Sequence, residues 1–336
     1  MFVPVVDISQ KPLMPTTPAR ARKWIKSRKA TGFWKRGVYC VRLNVEPSAR
    51  NVQETVVGID PGSKREGLTV KSGLPTYLNI QATAVDWVKD AVKARRNARR
   101  ARRFRNTPCR QNRKNRTKGS LPPSTKARWQ WKLRLVKWFC KIFPISHFVV
   151  EDIKATTRKG KRRFNKSFSP LEVGKKWFYS SLEKIAPVTL KQGWETWEMR
   201  LAAGLKKTKE KLAETFSAHC VDSWVLANSW VGGHTKPDNE AMLLVTPLRF
   251  HRRQLHVFQP AAGGIRKLYG GTRSLGFKRG SLIIHPKQGL CYVGGTSGDR
   301  ISLHDVSTGK RLGQRFKPED CTFLSFNSWR TRLLPA

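Results

Sequence analysis

The stretch E-T-V-V-G-I-D-P-G-S, Glu54–Ser63, decides how the chain is read. Val56, Val57, Gly58 and Ile59 form a short apolar run suited to a buried strand, and the run ends on one carboxylate, Asp60. Pro61-Gly62 then turns the chain, and Gly67-Leu68-Thr69-Val70 reads as the returning strand of a hairpin. On one reading the strand exists to deliver an acid to its exposed end. On the other, this is an ordinary D-P-G turn with Asp60 as the turn former. Both readings stand on this stretch alone, and the remainder of the chain must separate them.

Charge narrows the choice. Among 336 residues, 67 Lys and Arg face 22 Asp and Glu, a net charge of +45. A folded chain with that self-repulsion calls for a polyanion, either nucleic acid or an anionic membrane surface. No apolar run approaches ~18 residues, which argues against a membrane span. Met1–Ile8, with Pro4 and Asp7, does not read as a signal peptide. Twelve Trp and sixteen Phe are interleaved with the basic residues, as stacking on unpaired bases would use, although Trp also fills cores. The cysteines, Cys40, Cys109, Cys140, Cys220, Cys291 and Cys321, include no C-x-x-C pair, so neither a zinc ribbon nor a secreted disulfide framework is expected. The expectation is a reduced, cytoplasmic protein held on nucleic acid.

Upstream of the hairpin, Lys11-Pro12-Leu13-Met14-Pro15 reads as a stiff extended segment, Pro18–Lys29 as a basic amphipathic stretch and Gly37–Val45 as a strand. Together they suggest a small basic module over residues 1–52. Downstream, Leu74–Val85 is a third strand and Asp86–Arg105 a helix without Pro or Gly. Ala91, Ala94, Ala98 and Ala101 leave a thin face on that helix, and Arg95, Arg96, Arg99, Arg100, Arg102, Arg103 and Arg105 cover the rest. Guanidinium groups clamp phosphates in pairs of hydrogen bonds, so these arginines are candidate RNA ligands. The helix is expected to lie between a protein layer and a nucleic acid. From Ala91 to Val150, sixty residues hold nineteen Lys and Arg and no acid. Asn106–Ala127 reads as a loop, Arg128–Ile142 as a helix with Trp131, Leu135, Trp138 and Phe139 on its apolar face, and Ile145–Val150 as a strand.

That strand ends on Glu151 and Asp152, the first acids after the acid-free stretch. Alternation puts their side chains on opposite faces, so only one can join a site with Asp60. Pro170–Ile185 and Trp194–Leu205 are helix candidates flanking a short strand, Val188–Lys191. Lys206–Trp230 reads as one helix carrying His219 and Asp222, spaced i, i+3 on one face. Alone, that pair is more often structural than functional; with Asp60 and Glu151 it forms a more specific set. Gly232–Pro247 reads as a linker. Residues 248–336, with Gly263-Gly264, Gly270-Gly271 and Gly294-Gly295 between short strands, read as a small basic β module.

In this order the features resemble the IscB-like, transposon-associated RNA-guided nucleases, and specifically their IsrB branch, relatives of the type II CRISPR effector. The resemblance rests on P-L-M-P at Pro12–Pro15, G-I-D-P-G-S at Gly58–Ser63, the arginine-rich helix at Lys93–Arg105, V-V-E at Val149–Glu151 and H-x-x-D at His219–Asp222. It implies an α/β protein with an RNase H-like RuvC nuclease core split into three segments. The segments would be residues 53–85, 111–205 and 206–246, with a bridge helix at 86–110, a PLMP domain at 1–52 and a target-adjacent-motif-interacting domain at 247–336. It also implies Asp60, Glu151 and Asp222 as ligands of two Mg²⁺ ions (Mn²⁺ a possible substitute), with His219 positioning water or phosphate.

IscB and the type II effector carry an HNH nuclease before the third segment. Here Asp152–Ala218 contains no His and no Cys, so one nuclease centre, a nickase, is implied. Its partners would be a guide (omega) RNA, one protein per RNA, and target double-stranded DNA with a flanking motif. Two alternatives remain: a RuvC-like resolvase that needs no guide, and a non-catalytic RNA-binding protein on an RNase H fold.

Overall fold

The computed structural model of the chain describes residues 2–105, 121–152, 170–249, 258–259, 264–265, 273 and 275–335. The first 43 residues of the chain build a module of their own from β1 (Val3–Val6), β2 (Pro12–Thr16), α1 (Pro18–Lys26), β3 (Ala30–Lys35) and β4 (Val38–Leu43). The P-L-M-P segment is β2, antiparallel to β1, while β4 runs parallel to β1 and antiparallel to β3. Thr17 caps α1, its hydroxyl accepting from the Arg20 amide, and Pro18 takes the first helical turn, where no amide donor is needed. Val5, Ala21, Ala30, Val41 and Leu43 form the module's core.

The next strands are β5 (Thr55–Asp60), β6 (Arg65–Ser72) and β7 (Thr76–Thr83), a meander followed by α2 (Val88–Phe104) and α3 (Pro123–Phe139). Then come β8 (His147–Asp152), α4 (Pro170–Glu183), β9 (Val188–Gln192), α5 (Gly193–Ala202), α6 (Phe216–Val231) and β10 (Met242–Pro247). Two short strands, β11 (Phe258–Gln259) and β12 (Gly264–Ile265), precede a five-stranded antiparallel sheet. That sheet contains β13 (Ser281–His285), β14 (Gly289–Ser297), β15 (Arg300–Asp305), β16 (Arg311–Phe316) and β17 (Thr322–Phe326). The last strand, β18 (Trp329–Leu334), returns to the central sheet, whose order is β18-β10-β7-β6-β5-β8-β9. Within it β5, β6 and β7 are antiparallel neighbours, and β8 and β9 run parallel to β5. Three meander strands followed by two parallel ones, with the first strand in the middle, is the RNase H-like arrangement. The core has that fold.

Every residue of β5 is buried, which is why its run is apolar from end to end. Val57 and Ile59 face the main core with Trp131, Leu135, Trp138 and Phe139 of α3, so the predicted face of that helix is its packed face. Val56 faces the other way, onto Leu226 and Ala227 of α6. Glycines set that second contact. A Cβ on Gly58 would lie 1.9 Å from the Ser223 carbonyl oxygen, and one on Gly67 would lie 2.2 Å from that of His219. Two missing side chains therefore let the α6 backbone lie directly on β5 and β6.

Several elements depart from the sequence-based expectation. Helix α3 begins at Pro123, five residues earlier than expected, because Pro is well suited to a first helical turn. Lys206–Trp230 is not one helix: α6 starts at Phe216, and the preceding ten residues run as an irregular segment across the sheet end. The supposed linker Gly232–Pro247 ends in β10, whose Met242, Leu243, Leu244 and Val245 are buried beside β7. The C-terminal residues do not all belong to a separate module, since β18 pairs with β10 and buries Trp329 against Trp131 and Trp138. Helix α2 has no buried residue: its first turns meet α3, with Val88 on the core and Ala91 half-buried, while Ala94, Ala98 and Ala101 are exposed among the described residues. Most of Asn106–Ala127, the loop after Asp152, Cys109, Gly263 and Gly270-Gly271 lie outside the described residues.

Candidate active site

Asp60 is the last residue of β5, where the strand meets the Pro61-Gly62 turn. Ile59 pairs with Val150 across the parallel β5–β8 ladder, so Glu151 lies one step further along, beside Asp60. The two carboxyl groups stand close enough for each to shift the other's titration. Lys132 of α3 fixes the turn from below: its ammonium donates to the Gly62 carbonyl at 3.0 Å and lies 2.6 Å from the buried Glu66 carboxylate. Asp152 faces the opposite side and takes Lys175 at 2.7 Å and the Tyr179 hydroxyl at 3.0 Å. It stays out of the site, as strand alternation requires.

Helix α6 brings the other two residues. His219 Nε2 donates to the Lys211 carbonyl at 3.0 Å, which leaves Nδ1 facing Asp60 Oδ2 at 3.4 Å. Asp222 is buried and accepts from Arg200 Nη1 at 2.5 Å on one oxygen and from Lys207 on the other. The Lys207 ammonium also stands 3.8 Å from Asp60 Oδ2. Asp60, Glu151, His219 and Asp222 thus meet at one end of the sheet, from three separate stretches of chain, β5, β8 and α6. Arg200 and Lys207 were not foreseen, because in a chain with 67 basic residues no spacing distinguishes them. Six of the seven candidate arginines lie on α2 and Arg105 directly follows it; all seven are exposed.

Electrostatics divide the two central acids. Burial pushes the Glu151 carboxyl up to about 8, and the neighbouring Asp60 charge adds to it. Burial also opposes charge on Asp60, but His219 and Lys207 outweigh it and hold its carboxyl below the usual range. Burial disfavours the charged Lys207 too, yet Asp60 and Asp222 keep its pKa raised. The two acids are thus driven apart, Asp60 towards the charged form and Glu151 towards the protonated one.

This predicts a pH dependence. The folded state binds the Glu151 proton more tightly than the unfolded chain does. Its contribution to stability is therefore complete below the ordinary value of 4.5 and is lost as pH rises towards about 8. One proton changes stability by at most about 1.4 kcal/mol per pH unit. Asp60 acts below this window and Lys207 above it. Denaturant unfolding in EDTA from pH 5 to 8 should show wild type losing stability relative to Glu151→Gln. Parallel curves would place the proton elsewhere.

The same arrangement tests whether divalent ions belong here. Hard cations take oxygen ligands, and Asp60, Glu151 and Asp222 supply only those. Among the described residues no three acid, His or Cys side chains stand as a preformed cage. Instead, the Lys207 ammonium acts as the stand-in cation among the carboxylates, within reach of Asp60 and Asp222. The donor chemistry fits Mg²⁺ or Mn²⁺, with Lys207 giving way.

Comparison with known proteins adds three findings. A family model described as RRXRR protein matches residues 3–167. That span holds the N-terminal module, the Asp60 hairpin, α2 and Glu151, and Arg99–Arg103 itself reads R-R-A-R-R. No curated protein matches the chain. The structure is similar to Thermus thermophilus RuvC in complex with a Holliday junction substrate, at a TM-score of 0.29 and 15% identity over 54% of this chain and 98% of that one. It is also similar to the yeast mitochondrial Holliday junction resolvase Ydc2, at 0.27 and 14% over 55% and 80%. At these scores the RNase H-like fold rests on the strand order and directions rather than on the superpositions.

Proposed function

We propose that the chain is an RNA-guided DNA endonuclease of the IsrB type, a nickase whose RuvC-like centre hydrolyses the displaced strand. The observation that carries this reading is the meeting of Asp60, Glu151, His219 and Asp222 at one end of an RNase H-like sheet. The acid-free basic stretch between the first two acids supports an obligate nucleic-acid partner.

Two Mg²⁺ ions held by Asp60, Glu151 and Asp222 would supply an activated water and stabilise the leaving oxygen. The chain's own residues do the rest. Asp60 and Glu151, on neighbouring rigid strands, offer two carboxylates at a fixed separation. Deprotonation of Glu151 makes both available. His219, its Nε2 pinned by Lys211, presents Nδ1 beside Asp60, where it can orient a water or a phosphate oxygen. Lys207, 3.8 Å from Asp60 and paired with Asp222, would be free to offset the charge of a phosphate bound beside Asp60 once released from them. No second nuclease centre is needed for a nick.

In this reading residues 1–52 form the PLMP domain, 53–85, 111–205 and 206–246 the three core segments, and 247–336, apart from the core strand β18, the β-rich domain that engages the flanking motif. The arginines of α2, from Arg95 to Arg103, and Arg105 just after it hold the guide RNA. Changing Arg99 and Arg103 to Ala together should weaken RNA binding and lower its log–log salt slope by roughly 2, one for each phosphate contact. Filter binding across a salt series checks this; an unchanged affinity would remove the helix from the RNA interface. The function itself is tested by expressing the chain with its flanking non-coding DNA and sequencing the RNA that copurifies. A discrete structured RNA supports guiding. Random cellular RNA, with cleavage of branched DNA alone, would favour a guide-free resolvase.

A further inference from the structure

Helix α5 carries an apolar stripe that the fold leaves in solvent. Trp194, Trp197 and Leu201 are 63%, 51% and 54% exposed, and Leu190 of the preceding strand is 42% exposed. The spacing i, i+3, i+7 puts the three helical residues on one face. Elsewhere the helix is anchored: Thr196 is buried, and Glu195 closes its N-terminus against the Gln192 amide at 2.6 Å.

The position of the stripe matters more than its exposure. A Cβ on Gly193 would lie 3.1 Å from Glu151 Oε1, so Trp194 follows the residue that touches the active-site acid. Arg200, on the same helix, holds Asp222. The segment leaving the helix carries Lys206, Lys207, Lys209 and Lys211, and it turns back over the site through Lys207 and the Lys211 carbonyl. Glu198 is the exposed acid on the stripe's flank, and Glu195 is paired with Lys191.

We infer that Trp194 and Trp197 form a stacking platform for unpaired bases of the DNA strand being cut, next to the scissile phosphate. This rests on the reading of the site as a DNA-strand hydrolase and names what holds the strand there. Two flat indole faces suit bases of any sequence, and lysines alongside suit the phosphates between them. The tryptophans are about 4.5 Å apart along the helix axis, comparable with the ~3.4 Å rise of stacked nucleotides. A +45 chain favours a polyanionic occupant over an acid-poor protein surface.

The test uses the full chain and a 15-nucleotide oligo(dT) carrying one 2-aminopurine, in Ca²⁺ without Mg²⁺, so that binding is read without cleavage. Trp194→Ala and Trp197→Ala should each weaken binding about tenfold with an unchanged salt slope, and should relieve the 2-aminopurine quenching. Trp→Phe at either position should restore most of both. A duplex of the same length should be insensitive to all four variants. Unchanged single-strand binding and quenching would overturn the platform. So would variants whose only effect is to change the chain's self-association on a sizing column, since the stripe would then be a protein contact. Cleavage by wild type in Mg²⁺ is scored separately. No cleavage alongside Trp-dependent binding would reject the hydrolase while leaving a single-strand-binding surface; cleavage unaffected by the Trp variants would do the reverse.

Discussion

Replacing Asp60 by Asn should abolish strand cleavage, by about 10³-fold or more, while RNA and DNA binding persist. Asn keeps the shape of Asp60 and its place at the end of β5. Lys207 remains held by Asp222, and His219 by the Lys211 carbonyl, so the fold has no new unpaired charge. What disappears is the one acid that touches Glu151, His219 and Lys207 together. Cleavage of a labelled strand, set beside filter binding of the same complex, checks it. Loss of binding along with cleavage would mean that Asp60 is a structural turn residue, the alternative left open by the D-P-G sequence.

The second large effect is expected far from any charge. Gly58→Ala adds one methyl group, 1.9 Å from the Ser223 carbonyl oxygen and 2.8 Å from the Ala227 amide nitrogen. Both are backbone atoms of α6, so no rotamer change relieves the overlap, and the helix must lift from the sheet. Overpacking of this kind costs about 3 kcal/mol. Because His219 and Asp222 ride on α6, their separation from Asp60 grows with it. A chemical-denaturation midpoint well below wild type, with cleavage lost in the fraction that still folds, is the expected result. A variant of wild-type stability and activity would show that α6 does not rest on this glycine.

The glycine contact explains why part of the site could be read from sequence. Asp60 and Glu151 follow short apolar runs suited to buried strands and bounded by turn signals, so their places at strand ends are local properties. His219 and Asp222 share a helix face by spacing alone. Their meeting with Asp60 depends on Gly58 and Gly67, whose role is visible only once α6 lies over them. Lys207 was hidden for a different reason: the helix formers of Lys206–Thr215 suggest continuous helix, yet the segment runs irregularly so that its side chain and the Lys211 carbonyl can reach the site. The strands β10 and β18 were missed because their partners are distant. Met242–Val245 is a clear apolar run but follows a turn-rich stretch, and it becomes a strand by pairing with β7 and with residues some ninety positions later. Non-local pairing of that kind leaves no periodic mark beyond the run itself.

The buried Glu66–Lys132 pair was equally silent, one Glu and one Lys in a chain rich in lysine. Its consequence is local: it ties the turn after Asp60 to α3 through the Gly62 carbonyl. The acid at the strand end is thus held from both faces of the sheet, by Lys132 on one side and α6 on the other.

The most direct test incubates the purified chain and its copurified RNA with Mg²⁺ and supercoiled plasmids that do or do not match the guide. The account predicts open-circle product on matched plasmids only, absent in EDTA and absent with Asp60→Asn. Linear product, or equal cutting of unmatched plasmids, would contradict a single guided nicking centre.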